Sequence, residues 1–427
     1  MRTKILTAAV LVFAWMVATG PAHAGPTRGL SIWPEQRVSA SDGGANDSFG
    51  QSVALDGDIA LIGAPNATVE NRASQGAAYV FTLTNGVWTE TAKLIADDGA
   101  SFDTFGYSVA LSGSTAVVGA WHATVDGSPL RGAAYVFTRS GDSWSQTAKL
   151  VADDGVEYDD FGYAVAVSGT TAFICTPYAG NSQGAVYVFS AAGGSWLQMQ
   201  KLATHDGAIG DNLGWSVSLD GGIAVVGAPF ASVDTRYQQG AAYVFTEFGG
   251  TWSEAAKLVA GDGIASEYFG FAVALDGTTA VIGAPYAHVG GGDPGAAYVF
   301  DEAAGDWSET QKLAANEGTA GDQFGYKVAI DGTTALAGAP FAPIDGHSEQ
   351  GAAYVFGGAG DTWSESDQLT ASDGVTYQSF GFSVAASPAA ALVGVPNTNV
   401  DGHAYQGAAY FYTPPTDDTI FASGFDS

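Results

Sequence analysis

The chain has 427 residues, with 44 acidic against 14 basic side chains and a formal net charge of −30. That charge excludes nucleic acid and anionic membrane surfaces as partners, and an apolar share of 46% excludes disorder as the general state of the chain. Cys175 is the sole cysteine, so no intramolecular disulfide can form, and it reads as a small buried residue.

The first predicted element is a leader. Arg2 and Lys4 precede an apolar run over 5–18, and Ala22-His23-Ala24 offers a cleavage site before Gly25. This pattern predicts a secretory signal over 1–24 and an exported product, extracellular, on the cell surface or periplasmic. No later stretch is long and apolar enough to span a bilayer, so no membrane insertion is expected.

From residue 49 onward one unit recurs seven times. Phe-Gly stands at Phe49, Phe105, Phe161, Phe269, Phe324 and Phe380, with Leu213-Gly214 in the fourth unit, at intervals of 56, 56, 52, 56, 55 and 56 residues. Each unit holds four blocks. They are Phe-Gly with an alternating run, Ala-x-x-Gly-Ala-Pro, Gly-Ala-Ala-Tyr-Val-Phe and Trp-x-x-x-x-Lys-Leu, as at Phe105, Ala60, Gly132 and Trp144. The Phe to the Gly of Gly-Ala-Pro (Cys175 in the third unit) is 14 residues in every unit, whereas Gly-Ala-Pro to Gly-Ala-Ala-Tyr varies as 13, 13, 9, 13, 12, 13 and 13. Every block is short, rich in Val, Ile, Tyr and Phe, and bounded by turn residues, which predicts a strand. Pairs such as Asp56-Gly57 and Ser112-Gly113 suit two-residue hairpins, and Ser387-Pro388 requires a different turn in the last unit.

Four antiparallel strands repeated seven times predict an all-β fold, a seven-bladed β-propeller over 25–412. The seventh unit stops after its third strand at residues 407–412, where Pro414-Pro415 follows. The missing strand is found upstream, because "WPEQRVSASDGG" at 33–44 matches "WTETAKLIADDGA" at 88–100. Residues 31–38 are therefore expected to complete blade seven and close the ring. Trp33 lies 16 residues before its Phe where the other units have 17, which implies a one-residue slip or bulge. The tail, 413–427, is compatible with a linker followed by a short strand, a disordered end or a sorting tag.

These repeats resemble the FG-GAP family, best known from the propeller head of integrin α subunits, over residues 33–412. A secreted bacterial-type member fits better than a receptor. The resemblance implies a non-catalytic interaction module whose partner is a protein or a glycan. Integrin-like repeats often carry an Asp-x-Asp-x-Asp-Gly calcium loop between the first two strands. Here that link is a tight hairpin with too few carboxylates, so no cofactor is expected, with calcium as the alternative. The chain is expected to be a monomer.

Because strands alternate in direction, the second-to-third loops and the inter-blade connections share one face, and function is expected there. Six inter-blade loops repeat a pair of acids five residues apart, from Asp42 and Asp47 through Asp98 and Asp103 to Glu317 and Asp322, and in the last copy Asp373 is followed by Gln378. The second members, Asp47, Asp103, Asp159, Asp211, Glu267 and Asp322, are candidate ligand-binding residues in a ring around one channel mouth. They either satisfy loop amides or hold a cation or polyol. The variable loops add Trp121, His122, Asp126, Tyr237, His288, His347 and His403 as candidates. The histidines stand on four separate blades, so no catalytic or metal set is nominated. A calcium-dependent lectin and a hydrolase using channel-mouth carboxylates are the competing readings.

Overall fold

The computed structural model describes residues 33–359 and 362–415; the predicted leader (1–24) and the tail beyond Pro415 lie outside the described residues. Seven four-stranded antiparallel sheets follow one another as blades of a ring, the first six in simple sequence order from the channel outward. Blade two is typical, with strands Ser108–Ser112, Thr115–Ala120, Ala133–Ser140 and Ser143–Leu150. Blade seven takes Ser383–Ser387, Ala390–Val395 and Ala408–Tyr412 from one end of the propeller and Glu35–Val38 from the other. The predicted closure is therefore present.

The register explains the 16-residue interval. In blades one to six the third and fourth strands slip register between Val80 and Phe81, or the equivalent pair, leaving Thr91, Thr147, Met199, Ala255, Thr310 or Ser366 as a bulged residue. The closing strand pairs Glu35 with Tyr412 and Gln36 with Phe411 without interruption. The absent residue is the bulge itself, and the residues on either side of it make contacts seen in other blades. Glu35, for instance, accepts hydrogen bonds from the amide and hydroxyl of Ser372, as Glu90 does from Ser41.

The recurring letters are contacts between blades. Each Phe sits against two rings of its own third strand, as Phe105 does with Tyr135 and Phe137 at 5.6 and 5.9 Å. Its backbone bridges to the glycine opening the previous blade's third strand, as in Gly76 with Phe105 and, across the closure, Gly407 with Phe49. The glycine of Gly-Ala-Pro lies against the carbonyl of the next blade's Phe-Gly glycine. A Cβ on Gly119 would stand 2.1 Å from the Gly162 oxygen, and one on Gly394 would stand 2.1 Å from that of Gly50. Only glycine allows this approach. At the one junction where Cys175 replaces that glycine, Leu213 replaces the following Phe. Both departures fall at one seam and share one buried cluster, where a Cβ built on Gly214 would stand 3.0 Å from that of Cys175.

The repeated Trp is the outer part of the same seam. Trp88 stacks on Phe411 of blade seven at 4.2 Å, and its backbone is clamped by the Gln36 amide at 2.7 and 2.9 Å. Gln200 and Gln311 clamp Trp252 and Trp363 in the same way. Those three indoles are buried, whereas Trp144, Trp196 and Trp307, which have no such clamp, are half-buried.

Candidate functional site

The loop face is built from seven copies of one junction. Each inter-blade loop lies on the second-to-third loop of the blade before it; Phe102, Thr104 and Phe105 donate their amides to Ala73, Ser74 and Gln75. In six blades the second-to-third loop is a miniature hairpin, such as Val125 facing Ser128. Blade three, with the shortest interval, has a tight turn over Ala179–Ser182 in its place, with Gly180 and Asn181 left-handed at φ 63° and 61°.

The two acids of each loop do different work. The first forms a triad with a lysine and a tyrosine of the following blade. Asp98 accepts from Lys149 Nζ at 2.6 Å and from Tyr135 Oη at 2.9 Å. Blades one, three, four and five repeat this with Lys93, Lys201, Lys257 and Lys312, and blade seven uses Arg37 with Asp373 and Tyr410. In blade six Gln368 donates to Tyr354 instead. Burial opposes ionisation of Asp42, Asp98, Asp206 and Asp262, but the lysine and tyrosine hydrogen bonds outweigh it and hold these carboxyls below their ordinary value. In Asp154 the Lys201 hydrogen bond is the largest effect, in the same direction.

The second acid turns inward. Asp47, Asp103, Asp159, Asp211, Glu267 and Asp322 each accept the backbone amide three residues earlier, at 2.7 to 2.8 Å, and Gln378 does so at 2.9 Å. Asp211 is half-buried and the other five acids are buried. Burial holds Asp47, Asp103, Asp159 and Asp211 above the usual carboxylate value despite those amides. None of the six lines the channel cavity, and each closes its own loop through that amide.

The candidate histidines stay on separate blades. The His122 ring lies tilted against that of Trp121 with centroids 3.6 Å apart, and Trp121 packs against Tyr107 and Tyr163. Asp126 pairs with Arg131 at 3.0 Å, and His288 pairs with Asp293. His347 Nδ1 lies 3.2 Å from Gln350 Oε1 and from the Gly374 carbonyl, and His403 Nδ1 lies 3.1 Å from that of Gly43. Tyr237 is exposed. Among the described residues no three His, Cys, Asp or Glu side chains are grouped to hold a metal ion.

Two features escape the repeat pattern. Three residues before each Phe the backbone is left-handed, with φ of 71° at Phe102, 68° at Tyr158 and 65° at Tyr377. The equivalent residues are Asn46, Gly210, Ser266 and Gly321, types at home in that conformation or small enough to bear it. Phe102, Tyr158 and Tyr377 are large, exposed and conformationally costly there. Tyr405, also left-handed at φ 53°, adds a further exposed ring. The signal is visible in sequence as aromatic residues at a repeat position that otherwise holds small ones.

The second feature is Asp160, which follows Asp159 where the other units have Ser, Thr, Asn, Tyr or Gln. It is buried, one carboxyl oxygen has no hydrogen-bond partner, and burial followed by the neighbouring Asp159 charge pushes it up to about 7. An acid with a raised folded pKa destabilises the native state increasingly as pH rises from its unfolded to its folded value. Asp160→Asn is therefore expected to stabilise the protein by about 1–2 kcal/mol at pH 8 and by little near pH 4. Urea unfolding at the two pH values measures this, and an equal effect at both would contradict it. The equivalent Asn212 already donates to the Pro177 carbonyl at 3.1 Å.

Seven four-stranded blades closed into a ring with a shared loop face define a seven-bladed β-propeller. The FG-GAP repeat model matches the chain seven times, at residues 33–81, 88–137, 144–189, 196–245, 252–300, 307–356 and 363–412. The chain belongs to the FG-GAP repeat family. FG-GAP propellers are commonly protein-binding modules, are typically non-catalytic, and occur in extracellular proteins. No curated protein sequence matches the chain. No helix among the described residues is long and apolar enough to cross a membrane.

Proposed function

We propose that this is an exported FG-GAP propeller, led out by residues 1–24, that binds a protein or glycan ligand on its loop face without catalysing a reaction. The observation that carries this reading is the set of outward-facing aromatic residues, Phe102, Tyr158 and Tyr377, held in a left-handed conformation that costs stability. Exposed aromatic rings supply contact area at low entropic cost to protein surfaces and to sugar faces alike. The carboxylates that a hydrolase or a calcium-dependent lectin would use are bound instead to loop amides, lysines and tyrosines.

Arrays of glycans and of extracellular proteins, probed with and without calcium, identify the ligand class. Replacing Phe102, Tyr158 and Tyr377 together by asparagine, the residue at position 46, is expected to weaken binding at least about tenfold while leaving thermal stability unchanged or slightly higher. Undiminished binding by a folded triple variant would remove the loop face from the reading.

A further inference from the structure

The channel has a chemistry that the loop face does not share. The residue directly after each Phe-Gly or Leu-Gly pair is aromatic in six blades: Tyr107, Tyr163, Trp215, Phe271, Tyr326 and Phe382. Their rings follow one another around the channel with centroids 5.4, 5.0, 5.7, 5.1 and 5.2 Å apart, and the arc is broken only at Gln51. They wall a cavity of about 210 Å³. In a chain with 44 acidic residues, no carboxylate lines this cavity.

One cation does line it. The next repeat position is Ser52, Ser108, Ser216 or Ser383 in four blades, and each of those hydroxyls donates to a glycine carbonyl of the next blade at 2.8 to 2.9 Å. In blade six that position is Lys327. Its amine makes no such bond, nor any ion pair or other hydrogen bond among the described residues. The other described cations are all engaged: five lysines and Arg37 in the triads, Arg72, Arg131 and Arg139 with nearby acids, and Arg236 with Gln239. Burial lowers the Lys327 amine to about 8. The other titratable groups facing it across the cavity are the phenols of Tyr107, Tyr163 and Tyr326, all raised by burial and hence neutral near pH 7.

We infer that the channel is a binding site for a small, ring-bearing monocarboxylate, whose carboxylate pairs with Lys327 and whose ring packs within the aromatic arc. Lys327 is half-buried in the channel, and an ammonium there without a counter-ion is unfavourable; a carboxylate arriving with its own apolar ring resolves that deficit while replacing water at the aromatic wall. The cavity is smaller than the roughly 300–1,000 Å³ of drug-sized sites, which restricts the occupant to about one ring. A cationic ligand meets the lysine as a like charge, although the rings alone would attract it. This inference is independent of the loop-face reading, since it uses none of the same residues.

The probe is benzoate, compared with benzamide, acetate and benzylamine by calorimetry and ligand-observed NMR on the full chain. Benzoate is expected to bind at concentrations up to about 10 mM, with benzamide and acetate at least about tenfold weaker and benzylamine not competing. Affinity should fall as pH is raised past 8, where the amine loses its proton. Lys327→Met should weaken benzoate at least about tenfold while the far-ultraviolet circular dichroism is retained. If that variant misfolds, Lys327→Ser, which places there the residue of four other blades, is read in the same way. Absence of benzoate binding, equal binding of benzamide, tighter binding of benzylamine, or undiminished binding by the folded variant would each overturn the inference.

Discussion

Gly119→Ala is expected to lower the unfolding free energy by about 3 kcal/mol, near the upper end of what overpacking a core costs. The added Cβ would stand 2.1 Å from the Gly162 carbonyl and 2.2 Å from Ser108 Oγ. The carbonyl is backbone, so relief requires the seam between blades two and three to open. That seam also carries the Ser108 hydrogen bond to the same carbonyl at 2.8 Å, so opening it loses more than the contact itself. The control is Cys175→Ala, which puts alanine at the same repeat position one blade later. There the native residue already has a Cβ, and alanine should cost about 1 kcal/mol for the lost sulfur. Urea denaturation of the two variants makes the comparison. Equal losses would mean that the Gly-Ala-Pro glycine is not a spacing requirement.

Removing residues 33–40 is expected to lower the melting temperature by roughly 10 °C and to produce self-association. Without Glu35–Val38, blade seven ends at Ala408–Tyr412 with an unpaired edge. The same deletion removes the Gln36 clamp on Trp88, the Arg37 pair with Asp373 and the Glu35 bonds to Ser372 and Tyr412. It therefore loosens both the outer seam with blade one and the loop entering blade seven. Light scattering and differential scanning calorimetry report the two effects; a deletion variant that stayed monomeric with an unchanged transition would show that the strand is dispensable.

The fold was legible because its constraints are steric and local to the repeat. A glycine that must touch a backbone carbonyl cannot drift freely to another residue, and the one seam that departs, with Cys175 and Leu213, departs at both repeat positions. The closing strand was equally legible, down to its shortened interval. The acids were visible but their partners were not. Asp98 and Tyr135 are 37 residues apart, and Asp98 and Lys149 are 51 apart. Their meeting depends on how a loop lies over the next blade, which periodicity does not encode. The lysine of the Trp-x-x-x-x-Lys-Leu block thus turns out to be the counter-ion of the first acid, and the second acid closes its loop. Lys327 and the aromatic arc were hidden for another reason. They directly follow the recurring Phe-Gly or Leu-Gly pair, at positions where the residue changes from blade to blade among Tyr, Trp, Phe and Gln and among Ser, Ala and Lys, and a repeat is recognised by what it keeps.

The hydrogen bond from the Thr413 amide to the Pro34 carbonyl, at 3.1 Å, places the two ends of the propeller in direct contact. The ring consequently has no preferred origin. Splicing 413 to 34 through a short spacer and cutting instead at an outward hairpin such as the one at Gly141 would create a permutant with the same seven junctions and a different blade assembled from both ends.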